Sequence, residues 1–183
     1  MTEEELPGLE RAAELAREFD HSFAEPLRVA VRDVENLLAL RAGKDDCLVR
    51  LSETRGLVEK PTIVHLPSRS AELLGIAGVR GSLVPVYSLA ALVGQVAPTD
   101  PPPWLLLVES DGLIGFAFEE LAGYVRLDRH EIATLPPDDP RRAGASVAEA
   151  ARVGEALRGI IGIPSLVAAL KQRAGEIGAR KEE

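Results

Sequence analysis

The chain has 183 residues, of which 46% are hydrophobic and 27% are charged, so it holds enough apolar material to exclude disorder over most of its length. No apolar run reaches the roughly 18 residues of a membrane-spanning helix, and the start lacks the features of a secretory signal. Of the net charge of −8, residues 1–25 carry −6, with eight acidic residues against two arginines, which leaves no basic stripe for nucleic acid.

The first predicted element is an amphipathic helix in an acidic N-terminal extension, residues 1–26. Thr2 and Glu5 have the spacing of a capping box, and the apolar residues from Leu9 to Phe19 share one face. Two alternatives stay open: this face packs on its own protein or docks on a partner. The remaining residues, 27–183, are expected to form the main domain.

Beyond the extension the pattern changes to short β-strands separated by turns. Strands are predicted at 37–41 and 47–51 around a polar turn, and at 57–58, 62–66 and 83–87. Asp111-Gly112 lies between the apolar runs 104–108 and 113–118, which predicts a hairpin, and further strands follow at 124–127 and 157–161. Many short strands with few helical patterns favour barrels or sandwiches over a parallel α/β sheet.

A proline-rich loop at residues 95–103 predicts a connector between two halves of the chain. The two halves share a weak repeat. Arg80-Gly81 and Arg158-Gly159 each precede an apolar run, and these runs lead to the helical segments 88–92 and 165–170. We therefore expect one strand-plus-helix unit in each half, the second continuing into a C-terminal helix that starts at Pro164.

Reactive clusters are not apparent in the sequence. His21, His65 and His130 lack the spacing of a metal pair, and no serine elbow or phosphate-binding loop is present. The lone Cys47 lies in an apolar strand and is interpreted as a small core residue of a protein from a reducing compartment. We expect no catalytic site, no metal and no cofactor, so that the protein acts through its surface.

Five short motifs follow one another in the middle of the chain. In order they are Glu53-Thr54-Arg55-Gly56, Ile63-Val64-His65-Leu66-Pro67, Leu74-Gly75-Ile76-Ala77-Gly78-Val79-Arg80-Gly81, Leu83-Val84-Pro85-Val86-Tyr87-Ser88-Leu89 and Gly112-Leu113-Ile114-Gly115-Phe116-Ala117-Phe118-Glu119. Their order resembles that of the CheW-like domain of bacterial chemotaxis coupling proteins, over residues 35–172. The chain departs from the family pattern at Ser88, where the family has aspartate, and at Ala90, where an arginine often follows.

The resemblance implies a mainly β fold of two SH3-like five-stranded barrels. The first barrel is expected at about 35–97, and the second barrel with the C-terminal helix at about 103–175. The family implies a non-enzymatic, cytoplasmic adaptor that couples the cytoplasmic tip of methyl-accepting chemoreceptors to the regulatory domain of the histidine kinase CheA. Such an adaptor can lie beside membrane receptor arrays without entering the membrane.

Five positions are carried over from the family as partner-binding residues. Arg80 matches an arginine associated with receptor contact, Leu51 and Glu53 match contact positions of the first barrel, and Val84 and Val86 match an apolar strand beside the groove. Arg80 could instead pair within its own turn, and the face of Val84 and Val86 is as compatible with the core as with the groove.

Two other functions remain as alternatives. A divergent member of the family could bind, or sequester, only one of the two partners. A protein of another class could bind a small ligand in the cleft between the barrels.

Overall fold

A computed structural model describes residues 33–68, 70–97, 100–142 and 146–179, with side chains as far as Arg173. The predicted N-terminal helix lies outside these residues. The described part of the chain forms two short 3-10 turns, Leu51–Glu53 and Arg129–Glu131, two α-helices, α1 Leu89–Leu92 and α2 Ile163–Ala179, and twelve strands: β1 Val34–Ala42, β2 Asp45–Arg50, β3 Gly56–Glu59, β4 Ile63–Val64, β5 Leu73–Val79, β6 Ser82–Ser88, β7 Trp104–Ser110, β8 Gly112–Phe118, β9 Glu120–Asp128, β10 Ile132–Thr134, β11 Val147–Val153 and β12 Ala156–Ile161. Neither of these helices combines the length and hydropathy needed to cross a bilayer.

The strands form two sheets, which confirms the mainly β fold. Sheet 1 has the order β10-β11-β12-β2-β1-β9, and sheet 2 has the order β3-β7-β8-β6-β5-β4. Each sheet therefore has six strands where five were expected. Both sheets end in a short edge strand: β4, which lies within the predicted strand 62–66, has two residues, and β10 has three. Strand β10 was not predicted, because three residues are too few to leave a period-two pattern in the sequence.

The two sheets do not follow the expected barrel bounds of 35–97 and 103–175. The β1–β2 hairpin joins sheet 1, where β1 pairs with β9 and β2 pairs in parallel with β12. Strand β7, after the proline-rich loop, returns to sheet 2 and pairs with β3. The loop therefore joins α1, which follows β6, to β7, and both of these strands belong to sheet 2. Because these pairings join distant segments, the local patterns that suggested two sequential halves could not reveal them.

In the described part of the chain, three clusters of buried side chains form the core. A central core takes Leu38 and Leu40 from sheet 1, Leu106 and Phe116 from sheet 2, and the apolar face of α2. Leu37 and Ala39 face a separate core on sheet 1, and Leu105 and Leu107 face one on sheet 2. Strands β1 and β7 are thus buried on both faces, which explains why their sequences read as continuous apolar runs without alternation.

Both halves contain a strand followed by a helix, as the repeat predicted. Strand β6 leads into α1 and β12 leads into α2, and each of these strands has one parallel neighbour. Ser88 accepts a hydrogen bond from the backbone N–H of Ala91 at 3.3 Å and thereby caps α1. Serine and aspartate are both strong N-cap residues, so serine at position 88 can cap the helix although the family has aspartate there.

Cys47 is a core residue, as the sequence predicted. Its Sγ lies 3.6 Å from the backbone oxygen of Leu40. Burial, reinforced by the nearby carboxylates of Asp45 and Asp46, raises the pKa of the thiol to about 12. The thiol is therefore protonated at neutral pH, and a protonated thiol is a poor nucleophile.

Candidate functional site

The turn between β5 and β6 holds an exposed arginine in an unfavourable backbone conformation. Val79 pairs with Ser82, which leaves Arg80 and Gly81 as a two-residue loop. Their φ angles are 50° and 83°, as a type I′ hairpin turn requires. For a residue with a Cβ this region costs about 1 kcal/mol, and glycine or asparagine usually occupies it.

No interaction within the described part of the chain explains why arginine stands at position 80. The side chain is exposed and has no hydrogen bond or ion pair with a described residue. The sequence-based alternative, that Arg80 pairs within its own turn, is therefore not what the structure shows. Residues other than glycine in such unfavourable backbone conformations are concentrated at functional sites. Arg80 is thus a candidate contact residue.

Beside Arg80, the outer face of sheet 2 carries a cluster of apolar side chains that we call the hairpin patch: Val64, Ile76, Leu83 and Pro85. Val64 pairs with Ile76, and Ile76 pairs with Pro85, so the three form one row across β4, β5 and β6. Leu83 lies two residues from Pro85 on the same face. Leu83 is 75% exposed and Val64 is 57% exposed, whereas Ile76 and Pro85 are half-buried.

The hairpin patch was not found from the sequence, which singled out Val84 and Val86 on the same strand. Both of these valines are 0% exposed and pack in the core of sheet 2 with Ala77 and Val79. The core alternative therefore holds for them, because alternate residues of β6 point to opposite faces. Leu83 and Pro85 lie on the opposite face of this strand, where apolar side chains are accessible to a partner. Both faces of this strand are apolar, so the sequence carried no signal that separates them.

The other two predicted residues lie on the 3-10 turn between β2 and β3, away from the β5–β6 hairpin in the chain. Leu51 is 41% exposed, which is compatible with partner contact. Glu53 is half-buried and serves the fold: its Oε2 accepts a hydrogen bond from the backbone N–H of Ile163 at 2.8 Å. The carboxylate thereby caps the first turn of α2, where negative charge is favourable.

A partly buried guanidinium holds Glu53 in this position. Arg50 donates to Oε2 of Glu149 at 2.6 Å, and its nitrogens lie 3.6 Å from Glu35 and 3.9 Å from Glu53. Burial acts to lower the pKa of Arg50, but the hydrogen bond from Arg50 to Glu149 and the charges of Glu149, Glu35 and Glu53 together outweigh it, so the pKa is raised. Arg50 thus interacts with three carboxylates and links β1, β2 and β11 to the 3-10 turn Leu51–Glu53.

The pKa of Glu53 is raised, because burial outweighs the opposing effects of the Ile163 N–H and Arg50. Its ionised form is therefore less favourable in the folded than in the unfolded chain. Any stability linked to this group is present below the usual glutamate pKa and decreases as pH rises through the raised value.

Two substitutions of Glu53 should therefore differ. Glu53→Ala removes the acceptor for Ile163 and should lower the free energy of unfolding by about 1 kcal/mol. Glu53→Gln keeps an acceptor and removes the charge, so we expect little loss in the free energy of unfolding at pH 7. The free energy of unfolding of this variant relative to that of the native protein should increase from pH 4 to pH 7. Urea unfolding at both pH values measures this. Equal losses for alanine and glutamine would contradict the capping role.

Among the described residues, no group of three histidine, cysteine, aspartate or glutamate side chains is arranged to hold a metal ion. The candidate site is instead a surface. It consists of the exposed Arg80, which has no partner among the described residues, and the adjacent hairpin patch. Such a combination suits contact with another protein, because apolar area supplies affinity and arginine often anchors an interface.

Comparison with known proteins identifies a family and similar solved structures. The model of the CheW-like domain family matches residues 36–170. A search of curated proteins finds no match. Among solved structures, the scaffolding protein TtCheW from Thermoanaerobacter tengcongensis is similar, with a TM-score of 0.62 and 18% sequence identity, over 70% of this chain and 88% of that one. At this identity the structural likeness shows the fold.

Proposed function

The chain belongs to the CheW-like domain family, and from that premise we propose that it is a non-enzymatic adaptor that couples chemoreceptors to the histidine kinase CheA. Members of this family are scaffold proteins of chemotaxis. The partners are the cytoplasmic tip of a methyl-accepting chemoreceptor and the regulatory domain of the kinase. The adaptor works in the cytoplasm beside the receptor arrays and needs no cofactor.

The observation that carries the proposal is Arg80 beside the hairpin patch. We assign Arg80 and Leu83 to the receptor contact. Leu51, on the 3-10 turn, is a second contact position. Glu53, Val84 and Val86 act indirectly, since the first caps α2 and the two valines support the strand that presents Leu83.

Replacing Arg80 by glycine separates binding from folding. A glycine at this position would adopt the positive φ without a steric cost, so the free energy of unfolding should rise by up to about 1 kcal/mol. If Arg80 anchors the interface, affinity for a receptor cytoplasmic fragment should fall about 30-fold, or ~2 kcal/mol. Urea unfolding and surface plasmon resonance measure the two quantities on the same preparation.

Lys60→Gly is the matched control for this substitution. Lys60 is the other described non-glycine residue with positive φ, also 50°, and it is exposed on a different loop. It should gain stability in the same way and keep receptor affinity unchanged. An Arg80→Gly protein that binds the receptor fragment normally would refute the anchor role.

The same measurement with the regulatory domain of the kinase distinguishes the adaptor from its main alternative. An adaptor binds both immobilised partners and forms a ternary complex. A divergent protein that sequesters one partner binds only that one. Failure of both to bind would contradict the proposed function as a whole.

A further inference from the structure

A cavity of about 760 Å³ lies at the end of the β1–β2 hairpin, remote in the chain from the hairpin patch. The hairpin turn and strand β12 form its walls, and Val93, Pro140 and Arg141 also line it. Cys47, Val147 and Ile161 at its base are members of the central core. The volume lies within the range of small-molecule sites, and the base is apolar.

The rim of the cavity carries more positive than negative charge, although the whole chain is acidic. Its charged lining residues are the cations Arg41, Lys44, Arg141 and Arg158 and the acids Asp45 and Asp46. Asp46 is already engaged by Arg41 at 3.2 Å and by Arg158 at 3.5 Å, and Asp45 accepts from Gln95 at 2.6 Å. Asp46 is therefore largely neutralised, whereas Asp45, whose partner is a neutral amide, keeps its charge.

The cations retain unused donors. Lys44 is exposed and has no ion pair with a described residue. The side chain of Arg158 is 21% exposed, and its Nη2 lies 3.5 Å from Asp46, whereas its Nε is buried below the surface. A carboxylate at the rim would supply acceptors to Lys44 and to the exposed part of the Arg158 guanidinium, since guanidinium and carboxylate are complementary in shape and charge.

We propose that this cavity binds a small amphipathic organic carboxylate, with its head at Lys44 and Arg158 and its apolar body on the base formed by Cys47, Val147 and Ile161. Asp45 at the rim disfavours a ligand with several negative charges, because it would repel the second charge. The apolar base excludes a ligand that is polar throughout, since such a ligand would lose its hydration without compensation. This site is independent of the proposed coupling function.

The test is an amide NMR titration of the full chain with octanoate. We expect shifts at the amides of Gly43 and Gly159, both lining residues, and an affinity at least about tenfold higher than for 1-octanol or acetate. Octanol keeps the apolar body without the charge, and acetate keeps the charge without the body. Equal affinity for octanol, shifts confined to the hairpin patch, or absence of octanoate binding would each overturn the proposal.

Two variants locate the head group. Lys44→Gln and Arg158→Gln should each weaken octanoate binding several-fold, whereas Lys60→Gln, an exposed lysine outside the cavity, should leave it unchanged. Because Arg158 also pairs with Asp46, its variant is compared at equal folded fraction, determined by unfolding. Unchanged octanoate affinity in both variants would overturn the assignment of the head group to these cations.

Discussion

Replacing Leu83 by aspartate should reduce affinity for the receptor fragment by more than about 30-fold and leave the fold intact. Leu83 is the most exposed member of the hairpin patch, at 75%, so the substitution should change the free energy of unfolding by no more than about 0.5 kcal/mol. In a complex, however, the new carboxylate would be buried against apolar groups without a partner, which is strongly unfavourable. Surface plasmon resonance measures the affinity, and urea unfolding measures the stability.

Val96→Asp is the matched control for Leu83→Asp. Val96 is 89% exposed and lies in the segment after α1, outside the hairpin patch, so it receives the same change from apolar to acidic on an exposed side chain. Its binding should match that of the native protein. If Leu83→Asp and Val96→Asp bind the receptor fragment equally well, the hairpin patch is not the receptor contact.

The features that sequence reasoning predicted correctly are those that local residues determine. The β7–β8 hairpin forms around Asp111-Gly112, with Ser110 paired to Gly112. The β1–β2 hairpin forms around the polar turn, with Ala42 paired to Asp45. In both cases turn residues and flanking apolar runs lie within a few positions of each other, so their chemistry alone selects the structure.

The features that sequence reasoning missed depend on contacts between distant residues. Whether Val84 or Leu83 faces a partner depends on which side of β6 is covered, and Ala77 and Leu105 decide this from two other strands. An alternating strand has two faces, and its sequence does not say which is covered when both are apolar. Glu53 was likewise unpredictable as a cap, because Ile163 lies 110 residues further along the chain.

Replacing Gly75 by alanine should remove strand β4 from sheet 2 and destabilise the protein by about 3 kcal/mol or more. A Cβ at Gly75 would lie 2.0 Å from the backbone oxygen of Val64, and φ at this position is +148°. The backbone of β4 cannot yield at that distance without breaking its pairing with Ile76 and Ala77. Because Val64 belongs to the hairpin patch, receptor affinity should fall together with stability.

Gly78→Ala tests the same strand without the steric conflict. Nothing lies within 4 Å of a Cβ at Gly78, so this substitution should leave the free energy of unfolding within about 0.5 kcal/mol of the native value. Hydrogen exchange at the amides of β4 and β5 distinguishes local loss of β4 from general destabilisation. Protection of these amides should collapse in Gly75→Ala and persist in Gly78→Ala. If Gly75→Ala keeps β4 protected, the close approach of the two backbones is not what places Val64 in the hairpin patch.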